Sequence, residues 1–192
     1  MIKNIFKIGA LFLLLFSCVN EDKEAALEDF TKYVNTFIGT DGTGHTFPGP
    51  VLPFGMVQPG PDNRSIGWDY TSGYQYRDST ILGFSQTRAS GTGISEFGDV
   101  LVLPFTELDS TFSANKIKEY SEPGYYKVNL DNGVQAELTC TERVAFHRYT
   151  FPENNGNIHL NLQHGLRFLT DSLVLDSDVK IKNKTTISGF CR

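Results

Sequence analysis

Cysteine is scarce in this chain, with three among 192 residues. Cys18 falls in an N-terminal leader, which leaves Cys140 and Cys191. Two thiols do not make a disulfide framework, although an exported protein could form one bridge. Cys140 is in phase with the apolar Val134 and Leu138, so we expect a buried, inert thiol there. Cys191 precedes the last residue, and we expect it to be exposed.

Charge of one sign is not concentrated in any segment. The formal net charge is -5, with 17 Lys and Arg against 22 Asp and Glu, and there is neither a basic stripe nor an acidic tail. A nucleic-acid partner is therefore not expected. The sequence also has no internal repeat and no sustained helical periodicity after the leader, apart from a turn or two at Glu24–Lys32.

Residues 1–18 are predicted to be a lipoprotein signal peptide. Two lysines flank the start of the apolar run Ile8–Phe16, which is too short to span a bilayer as a stable helix. The lipobox-like segment Leu15–Cys18 follows, and its small Ser17 suits a processing enzyme. Cys18 would then become the lipidated N-terminus. The alternative is an ordinary secretory signal in which the cysteine is incidental.

Residues 19–32 are predicted to be a flexible tether. Its beginning, Val19–Glu24, is polar and acidic, and such a segment cannot bury itself. Leader and tether together predict an exported bacterial lipoprotein held by Cys18 at the outer membrane, on the cell surface or on the periplasmic side. Residues 33–192 remain as one domain, long enough for a sizeable core.

Periodicity in the second half of the chain predicts an all-β fold. Apolar residues alternate in Tyr125–Leu130 and Val134–Cys140, and the Asp131–Gly133 segment between them is a tight-turn signal, so we expect a β-hairpin. Strands at this spacing indicate an antiparallel β-sandwich, with loops at Pro59–Ile66 and Pro152–Asn157. Further short strands are predicted at Ile158–Leu162, Leu173–Leu175, Val179–Lys182 and Thr185–Phe190.

The stretch Tyr33–Pro104 is dense in Gly, Pro, Asp and aromatic residues. An ordinary β-domain needs turn residues between its strands, but it does not need this many glycine-rich loops that carry Trp, Tyr, His, Asp and Arg. Such a composition is typical of a surface that binds something.

Short blocks in this stretch resemble glycoside hydrolase family 92, which comprises calcium-dependent, exo-acting α-mannosidases. In chain order they are Val34–Gly39, Gly44–Gly49, Pro53–Gln58, Gly67–Tyr76, Gly83–Ser85, Ser90–Gly93 and Gly98–Pro104. The resemblance implies that residues 33–192 are the family's N-terminal β-sandwich domain. It also implies that the chain is truncated, because the family's larger (α/α)6 barrel is absent and the sandwich is expected to be incomplete at its C-terminal end.

The resemblance further implies the reaction of the intact enzyme, which is calcium-dependent, inverting removal of terminal α-mannose from glycans. The acidic residues that could be nominated as the acid and the base of a glycosidase are Asp41, Asp62, Asp69, Glu96 and Asp99. The acid, the base and the calcium ligands are nevertheless expected in the missing barrel, so no catalytic residue and no metal ligand is assigned to this chain. Its partners are a mannose-containing glycan and that barrel. A freestanding glycan-binding lipoprotein and a non-functional gene remnant are the alternatives.

Trp68 and Asp69 are the first candidates for substrate binding. A sugar pocket needs a flat apolar ring against the C–H face of the pyranose and polar groups for its hydroxyls, and these two side chains supply both. From composition alone, a large aromatic is more often a packing residue in a core or between domains. The resemblance of Gly67–Tyr76 to the family block implies instead that Trp68 lines the pocket.

The loop Ser90–Gly93 adds Gly91, Thr92 and Gly93 as candidates. Its glycines allow backbone amides to approach a ligand or a partner domain closely. The loop lacks the Gly-Lys-Ser/Thr ending of a P-loop and the strand and helix context of a dinucleotide fingerprint. Nucleotide binding is therefore not expected.

Arg88 and His45 complete the candidate set. Many family members resemble Ser-His-Thr-His where this chain has Ser85–Arg88, so a permanently charged Arg88 alters pocket shape or linkage preference. We expect Arg88 to pair with Glu96 or Asp99, or to meet an anionic group of a phosphorylated glycan. For His45, a structural hydrogen-bonding role stands beside a substrate contact, since no nucleophile or metal-ligand constellation accompanies it.

Overall fold

The computed structural model describes residues 28–91, 93–107, 111–168 and 174–192. It divides the chain into Met1–Phe30 and Thr31–Arg192, and the elements given below belong to the second unit. The predicted signal peptide with Cys18, most of the predicted tether, and Thr92 lie outside the described residues. Within the described ranges, no helix is long and apolar enough to cross a membrane.

Strands dominate the described part of the chain, together with two short 3-10 helices at Thr31–Tyr33 and Trp68–Tyr70. None of the described residues forms an α-helix. The strands are β1 (Gly60–Asp62), β2 (Thr80–Ile81), β3 (Gly83–Ser85), β4 (Leu101–Phe105), β5 (Ala114–Glu122), β6 (Tyr125–Leu130), β7 (Gln135–Cys140), β8 (Ala145–Thr150), β9 (Asn157–Asn161), β10 (Ser177–Asn183) and β11 (Thr186–Cys191).

These strands form two larger sheets and a hairpin. One sheet has the order β2-β5-β6-β7-β8, the other has the order β1-β3-β4-β9, and β10 pairs with β11. Every ladder between these strands is antiparallel. Phe84 of β3 lies in the same buried cluster as Tyr126 and Val128 of β6, so the two larger sheets share a core. The prediction of an all-β antiparallel sandwich is confirmed.

The hairpin β6–β7 forms where the alternation of apolar residues predicts it. Tyr126, Val128 and Leu130 are buried while the residues between them are half-buried, as a strand with one face on the core requires. The amide of Gly133 donates to the Leu130 carbonyl at 3.0 Å, and Gly133 has φ +82, a conformation that favours glycine. Each large apolar side chain buried here stabilises the fold by about 1.5–3 kcal/mol.

Two local predictions were wrong. The segment predicted as a loop at Pro59–Ile66 contains β1, which is buried at all three residues and pairs with β3 from Gly60↔Ser85 to Asp62↔Gly83. The predicted strand at Leu173–Leu175 is not formed by its described residues, Val174 and Leu175. The strands predicted near Ile158, Val179 and Thr185 are confirmed as β9, β10 and β11.

The two described cysteines are both free. Cys140 is partly exposed rather than buried, but partial burial still raises the pKa of its thiol, which keeps it protonated and unreactive. Cys191 is partly covered rather than exposed, because its thiol donates to the Leu162 carbonyl at 3.3 Å. Burial, followed by the nearby carboxylate of Asp99, also raises the pKa of the Cys191 thiol.

Candidate functional site

The segment Gly67–Tyr76, named the Trp68 loop here, presents the chain's single tryptophan. Gly67 has φ +116 and leads directly into a short 3-10 helix that begins at Trp68. The Tyr70 amide donates to the Gly67 carbonyl at 3.1 Å, and the Gly73 amide donates to the Tyr70 carbonyl at 2.8 Å. This turn holds Trp68 at the surface with 49% of the residue exposed.

The second half of the Trp68 loop is anchored in the interior. Tyr74 is fully buried, and its hydroxyl donates to Glu119 of β5 at 2.7 Å. The Gln75 amide donates to the Asn63 side-chain oxygen at 2.6 Å, and the Gln75 side chain donates to the Gly42 carbonyl at 2.9 Å. The position of the Trp68 ring is therefore set by buried contacts on several sides.

Three residues from distant segments surround the indole of Trp68. The ring of His45 meets it edge to face at a centroid distance of 4.9 Å, and the ring of Phe168 does so at 6.0 Å. Gly93 lies so close that a Cβ added there would be 3.0 Å from Cη2 of Trp68. These neighbours hold the indole in place, while nearly half of the residue still faces solvent.

His45 is almost completely buried, with 7% exposed, and its backbone has φ +55. Such a φ is unusual for a residue other than glycine and is a conformation that recurs at functional sites. Among the described residues its Nε2 atom has no hydrogen-bond partner, and the atom is buried. A buried polar atom that lacks a partner is costly, so Nε2 could exchange a hydrogen bond with a ligand once a neighbouring group moves aside.

The glycine loop after Arg88 closes over His45. The Gly91 amide donates to the His45 carbonyl. A Cβ on Gly93 would be 2.9 Å from His45 Nδ1, and Gly93 has φ +68, so a larger residue would collide with the imidazole. The structure thus brings together four residues that the sequence predicted separately: His45, Trp68, Gly91 and Gly93.

Asp69 does not join this cluster through its carboxylate. Its Oδ2 lies 3.7 Å from Arg77, which also lies 3.5 Å from the Asp41 carboxylate, and all three side chains are about half exposed. Exposed ion pairs of this kind contribute about 0–1 kcal/mol to stability. The backbone carbonyl of Asp69 accepts a hydrogen bond from the Gln75 side chain, so in this structure Asp69 stabilises the loop.

Arg88 lies in the interior and not at the surface. Its side chain has no exposed area and pairs with Asp62 at 3.0 Å, so the predicted pairing with Glu96 or Asp99 was wrong. Asp99 instead accepts a hydrogen bond from the Thr87 hydroxyl at 2.7 Å. The full burial of Arg88 argues against the predicted contact with an anionic glycan and indicates a structural role.

Sequence reasoning missed Phe168 and His164, and it considered Asp62 only as one of several carboxylates. Phe168 follows β9 in the chain and reaches Trp68 only through the fold, where Arg167 forms a bridge with Ile66 just before the Trp68 loop. His164 is buried and lies 2.9 Å from the Asp62 carboxylate. No local pattern marks any of these residues, because the pairing partners are far apart in sequence.

These side chains are suited to binding. A half-exposed indole can stack on the apolar face of a ring-shaped ligand. Nε2 of His45 is buried beside it and can exchange a hydrogen bond with a hydroxyl group once a neighbouring group moves aside. Among the described residues, no group of three or more His, Cys, Asp or Glu side chains could hold a metal ion.

The loops and sheets described above correspond to a known family. The family model described as "Glycosyl hydrolase family 92 N-terminal domain" matches residues 33–192. The chain therefore belongs to glycoside hydrolase family 92, and the matched region is the N-terminal domain of that family.

Relatives with known sequence or structure agree. An "Uncharacterized secreted glycosidase" of Arthroderma benhamiae is 33% identical over 187 residues, a match that covers 84% of this chain and 24% of the relative. The solved family GH92 alpha-mannosidase BT3965 from Bacteroides thetaiotaomicron, in complex with mannoimidazole, superposes with a TM-score of 0.79 at 38% identity, over 85% of this chain and 23% of that one. The inverting mannosidase BT2199 of the same organism superposes with a TM-score of 0.60 at 27% identity, over 69% and 19% of the two chains.

The chain spans about a quarter of the length of the curated relative and of the alpha-mannosidase BT3965. Family membership and fold are thus shown for this chain.

Proposed function

We propose that the chain is the carbohydrate-binding N-terminal domain of an exo-acting α-mannosidase and that it forms part of the substrate pocket. In the intact enzyme, the reaction would be inverting hydrolysis of terminal α-mannose from glycans, completed by an (α/α)6 catalytic domain. The two mannosidase relatives support the substrate, and the inverting relative supports the stereochemistry. The chain alone is proposed to be inactive.

The observation that carries this proposal is the arrangement of Trp68, His45 and Phe168. Trp68 is half exposed and is held edge to face by the two other rings. An indole fixed in this way presents a preorganised surface to a sugar, so little conformational entropy is lost when the sugar binds. His45 Nε2 is an unsatisfied polar atom beside it, as recognition of a hydroxyl requires.

Calcium dependence is the least direct part of the proposal. The described residues offer no cluster of three or more His, Cys, Asp or Glu that fits a metal ion, and hard cations such as calcium are held by several oxygen ligands. We propose that the calcium ligands of the intact enzyme lie outside this chain, and no step here passes through the metal.

Export to a membrane-anchored location is also proposed. The curated relative is named as a secreted glycosidase, which supports export of this chain. We propose lipidation at Cys18 on the sequence of the leader, and the acyl chain would then anchor the protein to a membrane.

Titration with a sugar tests the binding role. Trp68 is the single tryptophan, so its fluorescence reports the proposed site directly. Addition of methyl α-mannoside should shift or quench the emission with a Kd of about 1 mM or weaker, because 1 mM corresponds to only about 4 kcal/mol, as expected for half of a pocket. Methyl α-glucoside is the control. No mannoside response up to about a hundred times that concentration would contradict a role in the pocket.

A freestanding glycan-binding lipoprotein is the second candidate, because His45, Trp68 and Phe168 are assembled by this chain alone. The same titration separates the two functions. A Kd near 1 μM, worth about 8 kcal/mol, would favour the freestanding binder over a partial pocket.

A further inference from the structure

Arg88 and Asp62 form an ion pair that is completely shielded from solvent. Nη2 of Arg88 lies 3.0 Å from Oδ1 of Asp62, and both side chains have 0% exposed area. The contact is an ion pair rather than an aligned hydrogen bond, because Oδ1 has no hydrogen-bond partner. His164 Nε2 lies 2.9 Å from the other carboxylate oxygen. The three residues come from β1, the segment after β3 and the segment after β9.

The guanidinium of Arg88 is also bound to backbone on several sides. Nη1 donates to the Ser72 carbonyl at 2.6 Å, and Nη2 donates to the Gly60 carbonyl at 2.7 Å. Nε donates to the Gln58 carbonyl at 3.2 Å. The guanidinium also lies over the Phe47 ring, 4.4 Å from its centroid. Phe47 belongs to Gly44–Gly49, named the His45 block here, so this block contacts the same cation. One side chain therefore joins β1, the Trp68 loop and the His45 block.

Gly73 shows how closely the Trp68 loop approaches this pair. A Cβ at Gly73 would be 2.1 Å from Asp62 Oδ1 and 3.1 Å from Arg88 Nη1. The loop backbone therefore lies directly against the two charges, with no room for an intervening side chain. The backbone amide of Asn63, next to Asp62, donates to the Gly73 carbonyl at 2.7 Å. This hydrogen bond is a second contact that holds Gly73 against β1.

The energetics favour a positioning role over a stabilising one. Taking two charges out of water costs several kcal/mol per ion, and apolar residues of equal size are often at least as stable. Burial by itself would raise the pKa of Asp62, but the charge of Arg88 and the hydrogen bond from His164 outweigh it and lower the pKa. The Asp62 carboxylate therefore stays ionised. Compared with apolar packing, the ion pair adds a defined orientation of the groups that contact it.

We propose that Arg88 and Asp62, together with His164, are positioning residues that hold the Trp68 loop against the His45 block and thereby set the exposed face of Trp68. The functional role of this network rests on the proposed function, because Trp68 is the proposed sugar contact. The structural role of the network can be tested independently, since the environment of Trp68 can be measured without any sugar.

Acrylamide quenching and the emission maximum of Trp68 test the network in the whole chain. Arg88→Met leaves the buried Asp62 carboxylate without its cation and with His164 as its remaining neighbour, which threatens folding. The double variant Asp62→Asn with Arg88→Met removes both charges and should still unfold cooperatively, with a lower midpoint because the carbonyls of Gln58, Gly60 and Ser72 lose their donor. Its Trp68 emission should shift to the red and its quenching constant should rise about twofold, because the loop opens locally. Unchanged Trp68 signals in this folded variant would overturn the proposal.

Arg88→Lys is the second variant. Lysine keeps the charge beside Asp62 but lacks the planar fork that reaches several carbonyls, so stability should be largely kept while the altered Trp68 signals persist. If Arg88→Lys restored the Trp68 signals fully, the proposal that the planar guanidinium positions the Trp68 loop would be overturned. Arg148→Met is the matched control, because Arg148 pairs with Glu137 at 2.5 Å but is 73% exposed, and it should leave Trp68 unchanged.

Hydrogen exchange in the unaltered protein gives an independent readout. The amides of Asn63 and Gln75, both bonded at the junction with Gly73, should be protected as strongly as those of β6 and β7. Exchange as fast as in an open loop would contradict the network. Altered Trp68 signals in the folded double variant, combined with no response of the unaltered protein to methyl α-mannoside, would instead refute the proposed function alone.

Discussion

His45 and Trp68 meet edge to face, with ring centroids 4.9 Å apart and ring planes inclined by 81°. Each ring comes from a different glycine-rich loop, and Gly93 of a third loop lies against both. The contact fixes the indole from one side and leaves nearly half of Trp68 exposed. The properties of this pair lead to the first two predictions.

Removal of either ring should weaken binding of mannosides. Trp68→Ala should abolish the response of the protein to methyl α-mannoside, measured by calorimetry because the fluorophore is lost. His45→Ala should weaken binding roughly two- to tenfold, since an aromatic pair of this geometry contributes about 0.5–1.5 kcal/mol. Tyr120→Ala is the control, because Tyr120 is 50% exposed on β5, and it should bind as the original protein does. Equal losses in all three variants would contradict a local role.

Gly93→Ala should disturb the site more than Gly91→Ala does. Both glycines have positive φ, +68 and +77, so both substitutions strain the backbone by about 1 kcal/mol. Only the Cβ at Gly93 would collide, at 2.9 Å from His45 Nδ1, whereas nothing lies within 4 Å of one at Gly91. Binding of methyl α-mannoside and the Trp68 emission should therefore change in Gly93→Ala and stay close to normal in Gly91→Ala. Matching effects would show that strain alone is responsible.

Stability should fall as the pH is lowered from 7 to 5, because of His147. Its Nε2 lies 2.9 Å from the Gln86 amide oxygen and its Nδ1 lies 2.6 Å from the Tyr149 hydroxyl. Gln86 uses its amide nitrogen to donate to the Phe84 carbonyl, so its oxygen is placed to accept from Nε2–H of His147, and Nδ1 of the neutral imidazole can accept from the Tyr149 hydroxyl. Burial lowers the pKa of His147 to about 4.

The direction follows from proton binding. Between pH 6.5 and 4, the unfolded chain protonates His147 while the folded chain does not, so the free energy of unfolding falls with pH by roughly 2 kcal/mol from pH 7 to 5. Urea unfolding at these two values measures it. His147→Gln should remove most of that difference. Glu137, whose pKa is lowered to about 2, loses its contribution mainly at pH values below this window. A slope unaffected by His147→Gln would disprove the assignment.

Cys18→Ser should release the protein from membranes. If Cys18 is the lipidated N-terminus, the original protein should incorporate labelled fatty acid and partition into a detergent phase, because acyl chains bury about 0.8 kcal/mol per methylene. The variant should do neither. Cys140→Ser is the matched control and should behave as the original does. Partition of the Cys18→Ser variant into detergent would favour a different mode of attachment.

Much of the fold is predictable from local pattern. The alternation in Tyr125–Leu130 and the turn at Asp131–Gly133 specify a hairpin, since a period of two puts one set of side chains on the core. By contrast, β1 was mistaken for a loop. Its Gly-Pro-Asp sequence has the propensity of a turn, and it is a strand only because it pairs with β3 and is buried at every residue.

Part of the candidate site was also readable in the sequence. The blocks around His45, Trp68 and Gly91 are recognisable because several such blocks follow one another in the order that the family resemblance implies, and the family match over residues 33–192 confirms that resemblance. Sequence reasoning placed Arg88 in the pocket with them. That interpretation could not foresee burial, because a charged residue in a polar loop is normally exposed.

The sequence by itself determined the family, the all-β class and the loops that carry the site, since these depend on local spacing and residue type. The tertiary structure alone decided which residues meet. Asp62 and His164 lie 102 positions apart and are joined by a hydrogen bond of 2.9 Å, and Phe168 reaches Trp68 only after β9 has paired with β4 at the edge of its sheet. Such contacts carry no local signature, because they arise when distant segments share one low-dielectric interior in which each buried charge must find a partner.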